Sequence, residues 1–89
     1  MIKYSVEISQ KAKKDLSKLD SYVSKKITRW IDKNLVNCVD PKSQGTPLKG
    51  KLGDFWRYRI GDYRVISKID NNKVKIIIIS TGHRKGIYD

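Results

Sequence analysis

Phe55-Trp56-Arg57-Tyr58-Arg59-Ile60-Gly61-Asp62-Tyr63-Arg64-Val65-Ile66-Ser67 decides how this chain folds. Apolar and cationic side chains alternate along it with period two, as in a strand with one buried face. Gly61-Asp62 at its centre is a two-residue hairpin signal. With those residues as the loop, Ile60 falls opposite Tyr63, Arg59 opposite Arg64, Tyr58 opposite Val65, and Arg57 opposite Ile66. Side chains directly across an antiparallel ladder share a face, as do alternate residues of one strand. Arg57, Arg59 and Arg64 therefore converge on one side. Trp56, Tyr58, Ile60, Tyr63 and Val65 line the other. Like charges placed opposite one another destabilise a sheet, so the arrangement implies an anion that belongs there.

Outward from this hairpin, the rest of the chain supplies a small α+β fold. Ile2, Tyr4, Val6 and Ile8 alternate with polar residues over 2–8 and predict a first strand. Ser9 can cap a helix from Gln10 to about Leu19, with Ala12, Leu16 and Leu19 as its apolar stripe. Asp20 and Ser21 open a second helix to about Asn37, where Val23, Ile27, Trp30, Ile31 and Leu35 keep a 3.6-residue period. Its outer face carries Lys25, Lys26, Arg29 and Lys33, a solvated face or an additional phosphate contact surface. The pattern breaks from Cys38 to Leu52, where Asp40-Pro41 and Gly45-Thr46-Pro47 mark a loop. Asn71-Asn72 offers a second tight turn, which would pair Ser67 with Ile76, Val65 with Ile78 and Arg64 with Ile79. The following strand, 73–80, is apolar on both faces from Ile76 to Ile79 and suits the middle of a sheet. The expected fold is β-α-α-β-β-β: a mainly antiparallel four-stranded sheet in the order 1-4-3-2, with a two-helix hairpin on its aromatic face. The arginine face would then expose Ile66, Ile77 and Ile79.

Composition narrows the function. The chain of 89 residues contains 20 Lys and Arg against 9 acids, a formal charge of +11, and is expected to form one domain over 1–89. Such an excess favours a polyanionic partner, nucleic acid first and an acidic protein second. A single cysteine, Cys38, and a single histidine, His83, give neither a disulfide nor a zinc set. Without a zinc set no metal is expected, and without a GxxxxGK pattern or a strand-to-helix nucleotide loop no cofactor is expected. The N-terminal residues lack the apolar core of a signal peptide, and no run reaches membrane-spanning length. A soluble, cytoplasmic protein is the expectation.

The final residues, Thr81 to Asp89, leave the last strand beside Arg64 in this reading. They add His83, Arg84, Lys85 and Tyr88. Metal-free RNA cleavage needs a base for the 2′-OH proton, cations for the charged phosphorane and an acid for the leaving 5′-oxygen. Arginine presents fixed donors to phosphate but is no base at ordinary pH. His83 is then the natural proton carrier, and Tyr88 an acid, orienting group or stacking platform. Lys49, Lys51 and Lys85, with Arg57 and Arg59, would hold the RNA backbone.

Leu48-Lys49-Gly50, the run Trp56 to Val65, and Gly82-His83-Arg84-Lys85 with Ile87-Tyr88 together resemble the RelE/ParE superfamily of bacterial toxins. The likeness spans nearly the whole chain, including the order of strands and helices. It implies a toxin of a type II toxin–antitoxin system. RelE-like members enter the ribosomal A site and cut mRNA there by a metal-independent attack of the 2′-OH, inhibiting translation as endoribonucleases. A cognate antitoxin neutralises them, and operator DNA is met only through that complex. By position, Arg64 and Arg84 match the family's phosphate-binding arginines and Tyr88 its active-site tyrosine. Arg57 and Arg59 fall where some members carry lysines, one of them a proposed base, which moves weight to His83 here. Two other functions stay open: a ParE-like DNA gyrase inhibitor that cleaves no RNA, and a non-catalytic RNA-binding module.

Overall fold

The computed structural model describes residues 2–48 and 55–83. The elements follow the order β1 (Ser5–Ile8), α1 (Gln10–Ser17), α2 (Ser21–Asn34), β2 (Thr46–Pro47), β3 (Phe55–Ile60), β4 (Tyr63–Asp70) and β5 (Lys75–His83). The sheet order is β1-β5-β4-β3-β2. β1 runs parallel to β5, and the other pairs are antiparallel. The expected order differs in detail, because the two-residue β2 extends the sheet beyond β3 where only a loop was expected. A proline is tolerated there since an edge strand has one ladder without a partner to serve.

Both helices begin as the sequence indicates. Ser9 Oγ accepts from the Ala12 amide at 3.1 Å, and an Asp20 carboxylate oxygen accepts from the Tyr22 amide at 3.1 Å. Ala12 and Leu16 of α1, and Ile27 and Ile31 of α2 with Leu35 just beyond it, pack onto Tyr58, Ile60, Val65, Ile76 and Ile78. Val6, Ile8, Leu19, Val23 and Trp30 complete that layer from its margins. α2 stops at Asn34, and Asn37 turns left-handed at φ 63°. Asn is among the few residues that take this conformation at modest cost. No helix among the described residues is long and apolar enough to cross a membrane.

The β3–β4 hairpin has the register expected of a Gly61-Asp62 loop, from Ile60 opposite Tyr63 to Arg57 opposite Ile66. Gly61 takes φ 59°, the left-handed value that a first loop position demands.

The β4–β5 pairing differs from expectation in two steps. First, the turn spans four residues, Asn71 to Val74, instead of two. Asp70 Oδ1 accepts from the amides of Asn72 and Lys73, both at 3.1 Å, and Val74 sits at φ 53°. Ser67 therefore pairs with Ile78, two places beyond Ile76. Second, the ladder jumps between Ser67 and Ile66, so that Ile66 pairs with Ser80 and Ile79 is the extra residue of a bulge. Arg64 consequently lies opposite Gly82, not Ile79. α1 grips this irregularity. The Ser9 hydroxyl donates to the Ile79 carbonyl at 3.0 Å, and an Asp15 carboxylate oxygen accepts from the Thr81 amide at 3.2 Å.

Ile66 also corrects the expected exposure. It lies on the arginine face but is only 5 % exposed, and Ile77 and Ile79 are half-buried. Ile66 sits inside the sheet with side chains of both neighbouring strands, Arg57 and Ser80, directly across from it.

Tyr58 is fully buried, and its hydroxyl donates to the Pro41 carbonyl at 2.7 Å. Burial pushes its phenol up to about 12; a hydrogen bond with Ser67 opposes the shift, and Cys38 and Asp40 add to it. A phenol whose folded pKa is raised stabilises the fold below its unfolded value near 10 and loses that contribution as pH rises through 12. Tyr58→Phe should cost about 1–3 kcal/mol at neutral pH, because it leaves the Pro41 carbonyl without its donor. The same variant should show a shallower loss of stability than the parent between pH 10 and 12, measured by urea unfolding at each pH.

Candidate nucleic-acid interface

The hairpin register sets the site. Arg59 lies directly opposite Arg64, and Arg57 is two residues back along β3 on the same face. Directly opposed residues in an antiparallel pair have Cβ atoms about 5 Å apart. Lys68, across from Phe55, continues the cationic row on that face. Arg59 and Lys68 are exposed, while Arg57 and Arg64 are half-buried. On the far side of Arg64 stands Gly82, and beyond it Ser80 faces Ile66. A glycine and a serine there leave the arginine face bordered by little side-chain bulk.

β2 closes the opposite border. Thr46 pairs with Arg57 and so shares its face, and Pro47 pairs with Trp56. A cavity of about 370 Å3 opens between this strand and the hairpin, lined by Ser43, Gln44, Gly45, Thr46, Arg57 and Arg59. The loop that carries its uncharged wall is fixed by Asp40, by Ser43 and by a backbone bond to β3. Asp40 Oδ1 accepts from the Lys42 amide at 3.3 Å, the Ser43 hydroxyl donates to the Asp40 carbonyl at 2.9 Å, and the Leu48 amide donates to the Phe55 carbonyl at 3.1 Å. Gly45 is pressed onto β3 so closely that a Cβ there would lie 2.3 Å from the Arg57 carbonyl oxygen and 2.8 Å from the Tyr58 ring. Only glycine fits that seat.

His83 lies apart from the arginines. It pairs with Tyr63, whose face is the one turned to the helices, and the two rings meet edge-on at 5.4 Å with an interplanar angle of 83°. Alternation along β5 separates it from Gly82, the residue that faces Arg64. The expectation of a strand end entering directly beside Arg64 is therefore met by Gly82, with His83 exposed on the other side of the strand. Arg84, Lys85 and Tyr88, and Lys49 and Lys51, lie outside the described residues.

Three contributors escaped the sequence reading. Lys68 shares the arginine face by the expected register itself and needed only to be traced further down the ladder. Gln44 and Thr46 sit in a stretch whose Gly-Thr-Pro signal marks a turn and hides the two-residue strand. A larger cavity of about 460 Å3 lies at the other end of β4, lined by Lys42, Trp56, Lys68, Ile69, Asp70, Asn71 and Asn72. Asp70 adds an acid there, so electrostatics favour the smaller cavity for an anion.

A family described as "ParE toxin of type II toxin-antitoxin system, parDE" matches residues 6–88. The chain belongs to the RelE/ParE toxin superfamily. Among curated relatives, toxin RelE of Mycobacterium tuberculosis is 31% identical over 85 residues, covering 96% of this chain and 86% of the relative. Toxin RelG of the same organism is 28% identical over 85 residues, covering 96% and 95%. Among solved structures, the toxin–antitoxin complex RelBE2 from Mycobacterium tuberculosis contains a chain similar to this one at a TM-score of 0.85, with 27% identity and 94% of each chain covered. The archaeal RelE–RelB complex from Pyrococcus horikoshii OT3 gives a TM-score of 0.70 with 28% identity, covering 97% of this chain and 99% of that one. With these relatives and this fold, the protein is a RelE-like toxin of a type II toxin–antitoxin system.

The Arg59–Arg64 opposition yields a direct test of the site's electrostatics. Arg59→Glu replaces a like-charge pair by an opposite-charge pair across the ladder. Its melting temperature should rise by a few degrees in low salt and the gain should shrink as salt screens the pair, while affinity for single-stranded RNA falls. Thermal unfolding and fluorescence anisotropy over a salt series measure both effects.

Proposed function

We propose that this toxin is a ribosome-dependent mRNA endoribonuclease that stops translation by cutting mRNA in the ribosomal A site without a metal ion. The observation that carries the reading is the arginine face: Arg57, Arg59 and Arg64 on one side of a hairpin, bordered by Gly82 and by the cavity next to Thr46. Guanidinium groups present fixed N–H donors to phosphate oxygens, and they stabilise the extra negative charge that develops on a phosphorane more than the charge of the starting diester.

In this mechanism the 2′-oxygen attacks the adjacent phosphorus as its proton leaves, the P–O5′ bond breaks, and the 5′-oxygen takes up a proton. A 2′,3′-cyclic phosphate and a 5′-hydroxyl result. Arg64 and Arg84 hold the non-bridging oxygens, and Tyr88 donates to the leaving oxygen or stacks on a base. His83, the proton carrier expected from the sequence, stands on the face of β5 opposite Gly82 and Arg64, edge-on to Tyr63, so the 2′-OH proton passes to solvent or to another group on the arginine face. Arg57, Arg59, Lys49, Lys51 and Lys85 neutralise the flanking backbone. The ribosome's part is to hold the mRNA extended and in phase, a positioning contribution that a small open site cannot make alone.

A cognate antitoxin is the second partner. The similar chains from Mycobacterium tuberculosis and Pyrococcus horikoshii were solved bound to theirs. A +11 toxin suits an acidic one. The family's ParE name keeps gyrase inhibition as a competing reading.

Primer extension on an mRNA translated with and without the protein should reveal codon-phased cuts that are missing from naked RNA. Arg64→Ala and Arg84→Ala should each reduce cutting by about a hundredfold or more, the usual effect of removing one transition-state donor. His83→Ala should leave cutting within a few-fold of the parent's, because its ring stands on the opposite face from Arg64. Full cutting by both arginine variants, or inhibition of gyrase supercoiling with no cuts, would overturn the assignment.

A further inference from the structure

The arginines can grip a phosphate, but phosphate contacts carry no sequence information; hydrogen bonds to base edges do. The cavity next to Arg57 and Arg59 adds that second chemistry. Its other wall consists of Ser43, Gln44, Gly45 and Thr46. The Ser43 hydroxyl is already donated to the Asp40 carbonyl. The Gln44 amide and the Thr46 hydroxyl make no hydrogen bond with any other described residue, and both residues are exposed. Thr46 is held opposite Arg57 by the β2–β3 pairing. Gln44 is held by its neighbour Gly45, which is pinned against the Arg57 carbonyl and the Tyr58 ring. An anchored loop thus places Gln44 and Thr46 on the wall of a space of about 370 Å3 whose other lining residues include Arg57 and Arg59. A space of that size admits one nucleobase with its sugar.

We propose that this cavity is a nucleobase subsite in which Gln44 and Thr46 read the base beside the phosphate held by the arginines. The inference rests on the nuclease reading above and deepens it from where the chain cuts to which base it prefers there. A glutamine amide offers a donor and an acceptor side by side and pairs in bidentate fashion with adenine. Unstacked bases of single-stranded RNA expose the edges needed for such contacts. Adenine is therefore the favoured occupant. Thr46 adds one hydroxyl contact, and Arg57 lies close enough in register to stack its guanidinium plane on the same base.

The experiment maps cut sites by sequencing the 5′ ends of transcripts translated with the toxin or with its Gln44→Ala or Thr46→Val variant. The wild type should favour adenine at one fixed position beside the cut by about fivefold or more. Gln44→Ala should bring that ratio close to one, and Thr46→Val should lower it less. Cutting with an unchanged base ratio in Gln44→Ala overturns the subsite and leaves the nuclease assignment standing. If the wild type cuts nothing, the nuclease assignment fails by itself, and a binding arm still judges the subsite. In that arm, fluorescence anisotropy compares pentaribonucleotides that differ only in the central base. A wild-type preference for adenine that disappears in Gln44→Ala supports the subsite, and equal binding of all four overturns it.

Discussion

The geometry of the arginine face depends on one residue too many in β5. Ile79 bulges out of the β4–β5 ladder, and every residue after it is displaced by one relative to β4. A displacement of one exchanges the two faces of a strand, whereas a displacement of two leaves them unchanged. The four-residue turn at Asn71–Val74 moves the register by two and so preserves the apolar face of Ile76 and Ile78. The bulge then moves it by one more. Without it, Thr81 would stand opposite Arg64, and Gly82 would face the helices. Helix α1 holds the irregular backbone through Ser9 and Asp15, which satisfy groups that a bulge takes out of regular pairing. The helix hairpin is therefore more than cover for the core. It sets which residues meet the arginines.

That meeting is electrostatically awkward in the free protein. Arg59 and Arg64 are directly opposed, Arg57 and Lys68 extend the row, and the whole chain carries +11. Repulsion among these groups opposes folding, but each pair is partly solvated and the penalty stays modest. Apolar burial between the opposite face of the sheet and the helices, ten core residues among those described, outweighs it. The two faces of the hairpin thus divide the work: one keeps the sheet folded, and the other offers a field that an extended polyanion relieves.

Much of this was legible in the sequence because it follows from local rules. The Gly61-Asp62 loop gave the hairpin register outright, since a two-residue turn leaves no freedom in pairing. The helical stripes at Ala12–Leu16 and Ile27–Ile31–Leu35 followed from their period, and the apolar run Ile76–Ile79 placed β5 between β1 and β4. What stayed hidden depended on contacts distant in sequence. Asn71-Asn72 looks like a complete two-residue turn, and nothing local reveals that Val74 will adopt φ 53° to lengthen it. Four consecutive isoleucines carry no alternation, so the position of a bulge among them cannot be read. β2 exists because Gly45 lets the loop lie against β3, 10 or more residues along the chain. His83 is expected beside the arginines because the tail from Thr81 is read as leaving the strand near Arg64, whereas β5 continues to His83 and the bulge gives it Tyr63 as a neighbour.

Tyr58 connects these layers in a further way. Its ring packs at 5.5 Å from Trp30 of α2, tilted by 48°, and its hydroxyl reaches the Pro41 carbonyl at the start of the loop that carries Gln44. The same ring forms part of the seat under Gly45. A single aromatic side chain thus joins the helix layer to the wall of the cavity. Substitutions on α2 that never touch a ligand can shift that wall, so the hydrophobic interior is a place from which selectivity can drift while charge and chemistry at the surface stay the same.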